Sequence, residues 1–424
     1  MKKHGQMIGS GILALMLLFS LAGCLPGEEG PDAGNTQAGA AQSEPGTVEP
    51  AGYIPPEENR SFAASGMDCC PTEDGTGFYC PGTQILRYYD PAARDLITLC
   101  SQSGCAHGGE SCEAWLGESV SGFAAYEGSW YVLAEENNSA VLRRIDPQTR
   151  ERADVKVFQS QNIYDSYRLS SGVVARGYVY AWLDHDWWED QTVYQKESFL
   201  IRISLDNGTA DTLFDTADYI SPADRVTFAG ADEEHVLILT ETLTSDYLTQ
   251  EEYLAQNPGE DYGLYLMDLM EEEGVYELRE YAFDMSDYQV VAEGARTSSS
   301  WALTRYGDLS LYAVDNTLYV YNLATGESRM LVEAPGTLRN FLMVDGKVMY
   351  LVRDPELHVC YLDLDDGEIH TLENEGKTDG AVFSIMGECG STLFGNYNGK
   401  KGNLLGCYIS KEDYYAERYE NIFY

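Results

Sequence analysis

Three thiols and an imidazole fall within thirteen residues of this chain: Cys100, Cys105, His107 and Cys112. Three thiolates and one imidazole are the ligand set of a closed, tetrahedral zinc site, which leaves no open position for a substrate. The spacing matches none of the common zinc modules, and in an oxidising compartment the same thiols would form disulfides instead. Nine cysteines follow Cys24, at 69, 70, 80, 100, 105, 112, 360, 389 and 407, so at least one lies outside any pairing scheme. If Cys69, Cys70 or Cys80 paired with the later group, the first and last repeats would be joined covalently. Either chemistry, structural zinc or disulfides, is architectural rather than catalytic.

Cys24 carries a different chemistry. It closes Leu21-Ala22-Gly23-Cys24, after Lys2, Lys3 and His4 and an apolar run that begins near Met7. A charged start, a short apolar stretch and small residues before a cysteine predict a lipoprotein signal, with diacylglycerol on the Cys24 thiol. The expected organisation is a signal peptide over 1–23, a lipidated cysteine and flexible linker over 24–60, and a folded domain over 61–424. The linker is rich in Gly, Ala, Pro, Glu, Ser and Gln and cannot bury enough surface to fold. Anchored by its lipid, the mature chain is expected at the extracytoplasmic face of the cell membrane.

The 69 acidic residues outweigh 27 basic ones, a net charge of -42 that moves to -44 once Lys2 and Lys3 are removed. Such a field repels phosphate backbones, so nucleic acid is not an expected partner. Catalytic patterns are missing as well. There is no Gly-x-Ser-x-Gly elbow, no phosphate-binding glycine loop with its lysine and no His-Glu-x-x-His, and the six histidines are scattered. A glycosidase or lyase working through two carboxylates leaves no local signature, and a surface glycan-active enzyme stays open as the alternative. Asp363, Asp365 and Asp366 before Gly367 resemble a calcium loop, but the downstream glutamate is misplaced and a hairpin turn explains them.

The elements that must position these residues are strands. Past residue 60, Tyr, Val and Leu alternate with polar residues in short runs separated by turn signals. Hairpins are predicted around Glu127-Gly128, Arg176-Gly177 and Asp345-Gly346, and further turns at Asp206-Asn207-Gly208, Ala324-Thr325-Gly326 and Asp365-Asp366-Gly367. A four-stranded unit recurring at irregular spacing predicts an all-β fold, a β-propeller of seven blades, with six as the other possibility and paired β-sandwiches as the competing architecture. The blades are expected near 62–112, 120–158, 168–214, 225–285, 298–333, 338–373 and 380–424.

Two stretches exceed the repeat, 184–196 and 244–262, and both fall between the second and third strands of their blades. They should therefore open on one face. The first carries His185, Trp187 and Trp188; the second reads as a short helix with Thr249 and Glu252 as a capping box before Tyr253. Trp187 and Trp188 either pack the loop onto its own blade or form an aromatic platform for a sugar ring or a protein partner. The expected function is a non-catalytic binding or scaffolding module for an envelope carbohydrate or protein, with His185, Trp187, Trp188 and Tyr253 as ligand-binding candidates.

Leu99-Cys100, four residues, Cys105-Ala106-His107 and then Cys112-Glu113-Ala114, together with Gly77-Phe78-Tyr79 and Ile85 to Asp90 with Tyr88-Tyr89, resemble a family. That family is the β-propeller-like exported lipoproteins of Gram-positive anaerobes, which carry a Leu-Cys-x4-Cys-x-His…Cys-x-Ala motif after the first blade. The resemblance covers residues 66–115 and implies a propeller and export but no particular reaction. Cys69, Cys70 and Cys80 depart from the family pattern.

Overall fold

The strand His235–Leu243 shows how the sequence builds this fold. Val236 and Ile238 pack toward the preceding sheet, while Leu237 and Leu239 pack toward the following one. Successive side chains of a strand point to opposite faces, so a continuous apolar run such as Val-Leu-Ile-Leu can be buried only between two sheets. Trp130, Val132 and Ala134 alternate with Tyr131 and Leu133 in the same way.

The computed structural model describes residues 59–61, 63–64, 69–74, 76–189, 193–215, 225–231, 234–243, 246–282, 284–295, 304–306, 309–314, 316–354, 356–372, 383–399 and 402–423. Cys24, the signal stretch 1–23 and the linker up to residue 58 lie outside the described residues. Seven antiparallel sheets follow one another along the chain, each running in sequence order from its first strand to its last. We number them as blades I to VII: Cys70–Pro71 to Asp95–Thr98; Ser119–Tyr126 to Arg152–Phe158; Asp165–Ala175 to Ala210–Asp215; Arg225–Ala231 to Tyr288–Ala295; Thr304–Tyr306 to Glu327–Glu333; Thr337–Val344 to Ile369–Leu372; and Phe383–Cys389 to Gly402–Ser410.

One apolar cluster sits between each pair of consecutive blades, and a seventh joins VII to I. First strands of neighbouring blades approach each other, including those of VII and I, and the last strands are the most exposed. First strands therefore ring the axis and last strands form the rim of a seven-bladed β-propeller. The fourth blade extends to Ala295, beyond the sequence boundary near 285, because its last strand follows the short turn after Ala282.

The hairpins between first and second strands are the expected two-residue turns. Glu127-Gly128, Arg176-Gly177 and Asp345-Gly346 all have positive φ at both residues, the geometry that matches strand twist. Ring closure departs from a simple repeat. Blade VII has three strands among the described residues; after Gly402–Ser410 the chain forms a short helix, Lys411–Tyr415, and returns so that Phe423 bridges Tyr408.

The N-terminal segment takes a route that sequence reasoning did not foresee. Asn59–Ser61 pairs antiparallel with the first strand of blade III, Asn59 opposite Ala175 and Ser61 opposite Val173. Ala63–Ala64 pairs with the first strand of blade II, opposite Phe123 and Gly122. Pairing thus begins two residues inside the stretch expected to be linker, and it covers the axial edges of two blades with the chain's own backbone.

Candidate functional site

The long insertion of blade III is a hairpin. Tyr178–Glu189 and Val193–Ser204 remain paired along their full length, to Trp188 opposite Tyr194 and Glu189 opposite Val193. These strands have twelve residues each, against eight in the second strands of blades II, VI and VII, so the hairpin overshoots the ring by on the order of 13 Å at strand rise. The first strand follows it upward, Asp165 opposite Trp187.

Strand alternation divides the candidate residues between two faces. On one face His185 is held from several sides. Its ring stacks on Tyr167 at 4.2 Å and on Trp187 at 4.6 Å, and its Nε2 lies 2.7 Å from Oδ1 of the buried Asp165. Glu197 Oε2 is 3.7 Å from Nδ1. The backbone N–H of Gln161 donates to the other Asp165 oxygen. His185 and Trp187 therefore stiffen the hairpin.

Trp188 faces the opposite way and is 48% exposed, beside Tyr194 at 52%. Their rings lie 5.5 Å apart, tilted by 60°. A polar row continues from them down the same face. Tyr194 donates to Asp186 at 2.6 Å, Ser198 donates to Asp184 at 2.5 Å, and Lys196 and Arg168 lie 3.5 and 3.6 Å from Asp184 and Asp186. Burial, and then the Asp186 acceptor, push the Tyr194 phenol up to about 12, so it remains a hydroxyl donor at neutral pH. Tyr164 and Ile163, also exposed, precede the neighbouring strand, and the Trp188 N–H donates to the Tyr164 carbonyl. Tyr164 and Tyr194 are the site residues that sequence reasoning missed; reading 184–196 as paired strands would have placed Tyr194 opposite Trp188.

The insertion of blade IV contains the expected helix and a second one. We label Gln250–Gln256 α1 and Tyr262–Glu273 α2. Thr249 and Glu252 form the reciprocal capping box, with Glu252 accepting from the Thr249 N–H at 2.9 Å. Tyr253 is buried, stacks on Tyr265 at 4.5 Å and donates to Glu260. It serves the packing of α1 on α2, and that pair packs chiefly on its own blade's central strands. The two insertions occupy equivalent loop positions, on the same face of the ring.

The cysteine segment joins the last strand of blade I to the first of blade II and so opens on this face too. Cys100, Cys105 and Cys112 Sγ and a His107 ring nitrogen all lie within 4.8 Å of one another. His107 Nδ1 is 3.4 Å from Cys112 Sγ, and the His107 N–H donates to Cys105 Sγ. Cys69 Sγ, in contrast, lies 2.8 Å from Cys80 Sγ within blade I, with the Tyr408 hydroxyl 3.4 Å from Cys80. The Cys389 thiol donates to the Gly77 carbonyl. Of the three early cysteines, Cys69 and Cys80 thus face each other within blade I, and the Cys70 thiol donates to the Pro71 carbonyl.

No family model matches the chain, and no curated protein matches it. Solved structures do. An oligogalacturonate lyase in complex with manganese aligns at 12% identity and TM-score 0.44, over 83% of this chain and 90% of that one. A second oligogalacturonate lyase, from Vibrio parahaemolyticus, gives 11%, 0.44, 84% and 91%. A puromycin-hydrolysing peptidase of Mycobacterium tuberculosis gives 13% and 0.47, over 84% of this chain and 55% of that one.

Proposed function

We propose that this chain is a membrane-anchored, extracytoplasmic β-propeller lipoprotein that binds an envelope carbohydrate or protein without transforming it. The exposed Trp188–Tyr194 pair with its row of Asp184, Asp186, Lys196 and Ser198 carries the reading. An aromatic surface beside convergent hydroxyl, carboxylate and ammonium groups suits a sugar, whose ring has apolar faces and a hydroxylated edge. The charge of -42 repels anionic polymers, so a neutral or basic glycan is the favoured ligand.

One observation weighs against the glycan-active enzyme. The chain's own N-terminal strands cover the axial edges of blades II and III.

Purified protein would be applied to an array of envelope glycans beside a Trp188→Ala variant, and fatty-acid labelling compared in Cys24→Ala cells. Retention on a neutral glycan that the variant loses, with label that Cys24→Ala abolishes, is the expected result. Cleavage of any glycan, or equal retention by both proteins, would defeat the binding reading; label persisting on Cys24→Ala would defeat the anchor.

A further inference from the structure

We propose that Cys100, Cys105, His107 and Cys112 hold a structural zinc ion that fastens blade I to blade II. Four ligand atoms from four side chains all lie within 4.8 Å of one another. Around tetrahedral zinc, with Zn–S about 2.3 Å and Zn–N about 2.0 Å, neighbouring ligand atoms sit roughly 3.5–3.8 Å apart, so a small contraction completes the site. A disulfide would use two of these sulfurs and leave the third thiol and the imidazole converging for no reason.

The backbone is shaped for that convergence. Gly104 and His107 both adopt positive φ, 74° and 54°, which turns the loop back on itself twice within four residues. The His107 N–H reaches a ligand sulfur, the kind of outer hydrogen bond that tempers thiolate charge.

Charge supplies an independent indication. In a strongly acidic chain, two arginines lie at this loop, close enough to interact electrostatically with Cys100 and Cys112: Arg150 and Arg152 respectively. Arg150 Nη1 and Arg152 Nε are buried with no hydrogen-bond partner. Arg152 spends its other N–H groups on the carbonyls of Glu110, Cys112 and Trp115. Zn2+ with three thiolates and a neutral imidazole carries one net negative charge, which such guanidinium groups offset. Arg150 also faces Glu113 and Asp146, and Arg152 faces Glu110 and Glu136, so the ion adds to anionic charge that these guanidinium groups already meet. On binding, the three thiols release three protons to solvent and no redox change occurs. The ligand set favours zinc among the divalent metals, and with four protein ligands no position is left for a substrate.

The place of the loop gives the ion its role. Cys112, Ala114 and Trp115 pack on Ile85 and Leu99 of blade I, the Leu116 N–H donates to the Gln84 carbonyl, and Arg152 reaches in from the rim of blade II. A metal here ties both blades to one loop.

Full-length chain purified without chelator would be analysed for metal, then reloaded with Co2+. One zinc per chain is expected, with Cys100, Cys105 and Cys112 resisting alkylation until a strong chelator is added, and with Co2+ giving thiolate charge-transfer and tetrahedral d–d absorption. Cys112→Ser should lose the metal. Because that variant risks misfolding, His107→Cys serves as the second: the resulting all-thiolate ligand set should retain zinc and shift the Co2+ spectrum. Absence of metal with these thiols freely alkylated, a disulfide among them, zinc lost on simple washing, or a His107→Cys spectrum like the parent's would each overturn the proposal.

Discussion

Tyr89 of the first blade and Tyr408 of the last stack face to face, ring centroids 3.6 Å apart and planes within 9° of parallel. Phe78, Phe394 and Phe423 surround the pair, and Arg94 covers the Phe423 ring. This aromatic seam joins the two ends of the ring, and among the described residues blade VII pairs with no N-terminal strand.

Tyr408→Ala is accordingly expected to cost about 3–5 kcal/mol, the range for truncating a large buried aromatic residue. A double-mutant cycle with Tyr89→Ala should return a coupling of roughly 0.5–1.5 kcal/mol. Denaturant melts of the four proteins check both, and an additive cycle would remove the stack's role in closure.

The adjacent tryptophans should behave oppositely. Trp188→Ala is expected to leave stability within about 0.5 kcal/mol of the parent while weakening ligand binding by at least ~2 kcal/mol. Trp187→Ala, which strips the stack from His185, should cost about 2–3 kcal/mol of stability. Parallel melting and glycan-retention assays separate the two.

At the blade IV insertion, Thr249→Ala and Glu252→Ala each remove one arm of the capping box. Each should destabilise α1 by about 1 kcal/mol. Hydrogen exchange over 250–256 is the measurement, with exchange elsewhere in the ring unchanged.

Acid should loosen the C-terminal return first. Hydrogen bonds from Arg418, then Ser410 and Asn421, hold the Asp413 carboxyl down at about 2. A pKa depressed on folding gives stability that is complete above the unfolded value, about 3.9, and is lost as pH falls toward the folded one. Melting between about pH 4 and pH 2 should fall more steeply in the parent than in Asp413→Asn, which has nothing to protonate.

Much of the ring was legible from its turns. Gly128, Gly177 and Gly346 mark hairpins because each closes a turn that demands left-handed backbone at two successive residues, and Thr249 with Glu252 announces a helix through side chains that reach their own backbone. The missing parts lack such local signals. Asn59–Ser61 and Ala63–Ala64 are too short for any periodicity, and their partners are more than fifty residues away. The hairpin tip was hidden because Asp184, His185 and Asp186 interrupt the apolar alternation that continues through Trp187 and Tyr194. In the cysteine segment the ligand types were readable, but Arg150 and Arg152 join them only through folding.

The N-terminal pairing fixes the polarity of the whole particle. Asn59 lies beside Ala175, next to the Arg176-Gly177 turn, and the strand then runs antiparallel to the first strands of blades III and II, toward the end where those strands begin. The chain thus passes from the rim of tight turns to the rim of long loops. The first described residue, Asn59, therefore lies on the tight-turn side. The hairpin of blade III and the helix pair of blade IV project from the opposite rim.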